Sequence, residues 1–180
     1  RFFLENMINN DPEKKILVFV RTKVRAERVK KALARVNLVS DTIHSDKLQS
    51  EREDTMKRFR SGDLKVLIAT DISARGIDIP NVDYVINYDL PDSSENYVHR
   101  VGRTGRGREK GQAFSFCSTE EKEQLAEIEE ALGKKIQRLL ITKGEYQLIL
   151  DTTEDVSDNW KLLMKEAASS KDNRRKKKKN

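Results

Sequence analysis

The sequence has one cysteine, three prolines and one tryptophan in 180 residues, and no apolar run of the length a membrane-spanning helix needs. A lone Cys117 can neither close an internal disulfide nor build a cysteine-based zinc site, and it fits a reducing compartment. Within AFSFCS it reads as a small buried hydrophobe. The opening residues, RFFLENMINNDPEKK, do not read as a signal peptide, and a start without Met is what a piece of a longer chain would show. No G-x-x-x-x-G-K-[ST] occurs, so the chain cannot form the usual phosphate loop by itself. Nor does any acidic pair at a strand end read as a magnesium site, and no internal repeat is visible.

Charge is abundant, at 37% Asp, Glu, Lys and Arg with a formal net charge of +6. The last ten residues, KDNRRKKKKN, carry seven basic side chains and one acidic, which accounts for that excess. The first 170 residues are near neutral as a whole, so any affinity for nucleic acid in the folded part must come from local arrangement.

Along the chain, short β-branched apolar runs alternate with helical patterns. KILVFV (15–20), KVLIAT (65–70) and YVINYD (84–89) read as strands covered on both faces, with DTIH (41–44) and GQAFSF (111–116) as further strands. Between them, Ala26, Val29, Leu33 and Val36 recur at helical spacing, and a helix from Gln49 to about Arg60 turns Met56 and Phe59 inward. A third helix is expected near 94–104. The pattern predicts an α/β domain with an open, mostly parallel sheet and helices on both faces over 14–133. Ligands of such sheets collect at the carboxyl ends of the strands, where Thr22, Thr70, Asp71 and Asp89 fall. Residues 1–13 form a leading or linking segment. STEEKEQLAEIEEALG reads as a helix with a Ser/Thr cap and a Gly133 stop. Residues 134–170 form an extension with an amphipathic stripe around Trp160, and 171–180 a disordered basic tail.

Three stretches carry chemistry. In YVHRVGRTGRGREKG (97–111), Arg103 and Arg106 are three apart and on one helical turn would point to the same side, while Gly102 and Gly105 remove side chains from the approach to them. A guanidinium offers a fixed fork of donors suited to phosphate oxygens. In ATDISARGIDIP (69–80), Arg75 and Gly76 form a turn and Asp78 could accept from a sugar hydroxyl. In IHSDKLQSER (43–52), Gln49 and Arg52 open a helix whose free N–H groups suit a phosphodiester, and His44 reads as a packing residue.

ILVFVRT, QSER with FRSG, ATDISARGIDIP and YVHRVGRTGR, in this order, resemble motifs IV, IVa, V and VI of DEAD-box RNA helicases over about residues 14–118. The resemblance implies the second of two RecA-like domains, with ATP and Mg2+ held mainly by an N-terminal domain and RNA lying across both. By motif, Arg103 and Arg106 would be arginine fingers on the γ-phosphate, Gly76 and Asp78 would border the nucleotide, and Arg75, His99 and Arg100 would make interdomain contacts. Thr22, Ser45, Asp46, Arg52 and Thr70 would hold RNA backbone. Ser45 stands where the family more often has Gly. The implied protein is a cytoplasmic monomer working on single-stranded or duplex RNA, with ribonucleoprotein partners and no membrane. The contrasting reading is a non-catalytic RNA- or protein-binding module.

Overall fold

The computed structural model describes residues 2–74, 79, 82–105 and 111–139. The chain divides into two compact units. The smaller contains Phe2–Asn10, helix α1, on which Leu4, Met7 and Ile8 are buried at the i, i+3, i+4 spacing of one helical face.

The larger unit, Asp11–Lys135, is a five-stranded parallel sheet. Its elements are β1 (Ile16–Phe19), α2 (Lys23–Ala34), β2 (Ser40–Ile43), α3 (Gln49–Ser61), β3 (Val66–Ala69), α4 (Asp71–Ala74), β4 (Tyr84–Asn87), α5 (Ser94–Val101), β5 (Gln112–Ser115) and α6 (Lys122–Leu132). The spatial order is β2-β3-β1-β4-β5, with Ile16 level with both Val66 and Tyr84, and Tyr84 level with Gln112. Every residue of β1, β3 and β4 is buried, which is why these strands read as unbroken apolar runs.

Alternate strand residues face opposite sides. Leu17, Phe19, Ile43, Leu67, Ala69 and Val85 pack with Met56 and Phe59 of α3 in one core. On the other side the even-numbered Thr42 donates to Glu27 of α2. Right-handed crossovers explain this, because the chain steps outward from β1 to β2 and then in the opposite direction from β2 to β5. The reversal leaves the loops after β1, β3 and β4 together at the carboxyl edge, the position where open α/β sheets bind ligands.

Four local expectations are corrected. Val36 lies beyond the end of α2 and is exposed, so the inward stripe stops at Leu33. Cys117 is exposed, because it follows the edge strand β5 rather than lying inside it. Helix α6 starts at Lys122 after Glu121, with no side-chain cap; Ser118 instead donates its N–H to Glu121 Oε2 at 3.0 Å. Gly133 does end it, in the left-handed conformation at φ 62°. Helix α5 stops at Val101, so Arg103 sits in a following turn rather than on a helix shared with Arg106. The expected features around Trp160 and in the basic tail lie outside the described residues.

Candidate functional site

Three loops meet at the carboxyl edge of the sheet. After β1, Thr22 caps α2, its Oγ1 accepting from Arg25 N at 3.1 Å. Thr22 is exposed, and its O–H remains able to donate outward. After β2, His44 is buried with Nε2 3.0 Å from Glu27 Oε1, as a packing residue would be. The next residues, Ser45 and Asp46, are exposed, and Asp46 accepts from Lys23 Nζ at 2.8 Å. That bond leads the causes holding the Asp46 carboxyl below its ordinary value, and the lysine offsets its charge. Burial pushes Glu27 up, but bonds from Thr42 and His44 and the charges of Lys47 and Lys30 outweigh it, so this carboxyl also lies low. Glu27 and Lys23 thus tie the loop after β2 to the first turns of α2.

Arg52 lies one turn into α3, half-buried, with Nη1 donating to Gln49 Oε1 at 3.2 Å and with a buried Nε that has no partner. Leu48 precedes the helix, its N–H taken by Glu51 Oε2 at 2.8 Å. Thr70 is placed differently from an RNA-holding residue. It is 8% exposed, its hydroxyl donates to Ser73 Oγ at 3.2 Å, and its carbonyl accepts from the N–H of Ser73 and Ala74. It builds the first turn of α4 instead of presenting a free hydroxyl.

Arg100 is the larger correction. An interdomain role requires exposure, yet this side chain is 2% exposed and lies 5.0 Å from the centroid of the Phe19 ring. Its Nε and Nη2 grip Asp71 in a two-pronged ion pair, both at 2.6 Å. Its Nη1 donates to Asn87 Oδ1 at 3.1 Å and to the Asp89 carbonyl at 2.8 Å. Asp89 in turn accepts from Arg21 N–H at 2.9 Å and pairs with Arg25 Nε at 3.0 Å. One buried guanidinium therefore joins the ends of β3 and β4, and through Asp89 the end of β1.

The sequence shows Asp71 at a strand end but not its partner. The available signal is Tyr97 and Arg100, three apart on α5 and both buried, the spacing of a single inward face.

From this anchor the chain continues to Arg103. Its carbonyl accepts from Val82 N–H at 3.0 Å and Thr104 Oγ1 donates to the Val82 carbonyl at 2.7 Å, just before β4 begins. Helix α5 therefore spans the length of the sheet, and Arg103 stands at the end away from Thr22. Its side chain is half-exposed and among the described residues makes no hydrogen bond or ion pair. His99 is exposed and likewise without a partner among them. The two glycines here serve the backbone more than an incoming ligand. A Cβ on Gly102 would come 3.1 Å from the Val98 carbonyl, and Gly105 adopts φ 76°, a region side chains disfavour. Arg75, Gly76, Asp78 and Arg106 lie outside the described residues.

Arg103 suits a phosphate in donor set, charge and exposure, and among the described residues nothing competes for it. Among the described residues no group of three His, Cys, Asp or Glu side chains could hold a metal ion.

A parallel sheet with a polar carboxyl edge and an unpartnered arginine at the opposite end of α5 defines the RecA-like class of motor domain. Residues 2–108 match the helicase conserved C-terminal domain, and the chain belongs to that family, in its DEAD-box branch. It is 37% identical over 179 residues to the ATP-dependent rRNA helicase rrp3 of Aspergillus terreus, covering 99% of this chain and 40% of that protein. It is 43% identical over 136 residues to the ATP-dependent RNA helicase DbpA of Bacillus subtilis, covering 76% of this chain and 28% of that one. The chain thus spans well under half the length of these relatives. Among solved structures, S. cerevisiae Dbp5 bound to RNA and ADP BeF3 superposes with TM-score 0.70 at 32% identity, over 87% of this chain and 42% of that one. E. coli DEAD-box protein SrmB bound to regulator of ribonuclease activity A gives TM-score 0.69 at 31% identity, over 78% of this chain and 86% of that one.

Proposed function

We propose that this domain works as the second motor domain of an ATP-dependent RNA helicase, completing a nucleotide site whose phosphate loop another domain supplies. The observation that carries the reading is α5, which leads from the sheet edge bearing Thr22, Ser45 and Arg52 to a free Arg103 and is fixed between them by Arg100.

In this mechanism Arg103, with Arg106, lies against the terminal phosphate and stabilises the charge that develops as the phosphoryl group passes to water. Gly76 and Asp78 border the nucleotide, and His99, exposed on α5, meets the partner domain. The partner domain would mainly hold the nucleotide's magnesium ion, which would supply charge neutralisation at the phosphates. On the opposite edge, the Thr22 hydroxyl, the exposed Ser45 and the Arg52 guanidinium hold sugar and phosphate, contacts that do not read bases. Each ligand favours the closed pair of domains only by binding it better than the open one. The substrate class is single-stranded or locally duplex RNA within ribonucleoprotein. The protein acts as a monomer in the cytoplasm, where an exposed thiol such as Cys117 stays reduced.

The test is ATP hydrolysis by the polypeptide that joins this domain to its phosphate-loop domain, with and without single-stranded RNA. Arg103→Ala is expected to lower kcat by about 10³-fold or more, the scale of an arginine finger, with a much smaller change in nucleotide affinity. Absent hydrolysis in the unsubstituted protein would leave a non-catalytic binding module as the better reading, and hydrolysis indifferent to RNA would leave an ATPase that is not an RNA helicase.

A further inference from the structure

Residues 21–35 contain seven basic side chains and one acidic, in a chain whose first 170 residues are near neutral as a whole. The structure sorts these seven into two groups. Arg21, Lys23, Arg25 and Lys30 are engaged, with Glu121, Asp46, Asp89 and Asp41 respectively. The side chains of Arg28, Lys31 and Arg35 are exposed and have no hydrogen bond or ion pair among the described residues. They recur at i, i+3 and i+7, which at 3.6 residues per turn places them on one stripe of α2. The buried face of that helix, Ala26, Val29 and Leu33, points the opposite way. The single acid, Glu27, is turned inward onto Thr42 and His44 and neutralises none of the three.

We infer that this stripe is a second nucleic-acid track, which takes the phosphate backbone of RNA leaving the carboxyl edge. The inference rests on the reading of that edge as the primary RNA site. Position favours RNA over an acidic protein. The stripe begins one and a half turns from Thr22, on the helix that Thr22 caps, and runs about 10 Å farther at 1.5 Å per residue. A strand held at Thr22 therefore meets three unneutralised cations if it continues along α2. The contacts are blind to sequence, and their signature is counterion release.

The experiment is binding of single-stranded oligouridylate to the 180-residue chain, followed by fluorescence anisotropy across a salt series. One variant carries Arg28→Gln, Lys31→Gln and Arg35→Gln together. A second carries Arg52→Gln at the edge. A charge-matched control carries Lys57→Gln, Lys122→Gln and Lys134→Gln, three exposed lysines off the stripe. Circular dichroism and melting establish that each is folded. The stripe variant is expected to bind about tenfold more weakly at low salt, with the log–log salt slope reduced by about 2, near 0.7 for each of three phosphate contacts. The control should change much less.

Equal losses in control and stripe variants overturn the inference, as does a stripe variant that binds like the unsubstituted chain. If that variant is unchanged while Arg52→Gln weakens binding, the stripe fails and the edge stands. If the stripe variant loses affinity and Arg52→Gln does not, the stripe stands and the reading of the edge fails. The same variants are titrated with polyglutamate, and a stripe variant that loses only that binding and keeps RNA marks an acidic-protein surface and also overturns the inference.

Discussion

Arg100 shows how one side chain can be misassigned by motif and corrected by burial. A guanidinium in an arginine-rich stretch suggests a ligand or a partner domain. At 2% exposure, with both prongs on Asp71 and Nη1 on Asn87 and the Asp89 carbonyl, it belongs to the interior. Removing one partner of such a pair leaves an uncompensated buried charge, which costs about 3–5 kcal/mol. Asp71→Ala should therefore lower the unfolding free energy by that scale, read as a lower urea midpoint with the slope unchanged, and Asp71→Asn, which keeps an acceptor, by less. Equal midpoints for Asp71→Ala and the unsubstituted chain would show that the pair contributes nothing. The sequence displayed Arg103, Thr22 and Arg52 as candidates because strand ends and caps are local features. It could not display the Asp71–Arg100 pair, since 29 residues separate its members.

At the scale of elements, all five strands were readable, but the contacts that fix an edge strand were not. β1, β3 and β4 announce themselves by unbroken apolar runs, whereas SDTI of β2 includes a carboxylate. That residue, Asp41, is what fixes the edge strand between two helices. It accepts from Lys30 of α2 at 2.6 Å and from Arg58 of α3 at 3.2 Å, with Thr55 of α3 at 3.4 Å. Burial pushes its carboxyl up, but the Lys30 bond, the Thr42 N–H and the charges of Lys30 and Lys47 prevail, so it lies below its ordinary value. A carboxyl lowered by folding stabilises the native state above its unfolded value near 3.9, and that contribution is lost as pH falls through the folded value. Asp41→Asn is accordingly expected to be less stable than the unsubstituted chain at neutral pH. The gap should narrow as pH falls below about 4 and close once it passes the lower folded value, beneath which both side chains are uncharged. Urea midpoints at neutral and acidic pH check this; a gap that persists in acid would assign the effect to shape rather than charge.

For the whole molecule, the question is how the proposed RNA edge and the Arg103 proposed to face phosphate, at opposite ends of α5, influence each other. The order of motifs was legible because each is short and local. Their wiring was not, because it depends on strand order β2-β3-β1-β4-β5, which brings Asp71, Asp89 and Arg21 together from separate parts of the chain. Arg100 is the one side chain bonded both to Asp71 and to the Asp89 carbonyl, and Arg103 N–H donates to its carbonyl at 3.1 Å. In the joined two-domain protein, a non-hydrolysable nucleotide should raise RNA affinity by the same factor by which RNA raises nucleotide affinity, typically 5–150-fold. If the Arg100 anchor transmits that preference, Asp71→Asn, assayed well below its melting temperature, lowers the factor in both directions. Binding of each ligand alone should change little. Four dissociation constants per variant decide the matter: RNA with and without nucleotide, and nucleotide with and without RNA. An unchanged factor would mean that the anchor holds the fold together while closure of the two domains carries the coupling by another route. A smaller factor with single-ligand affinities preserved would place the coupling in the Asp71–Arg100 pair.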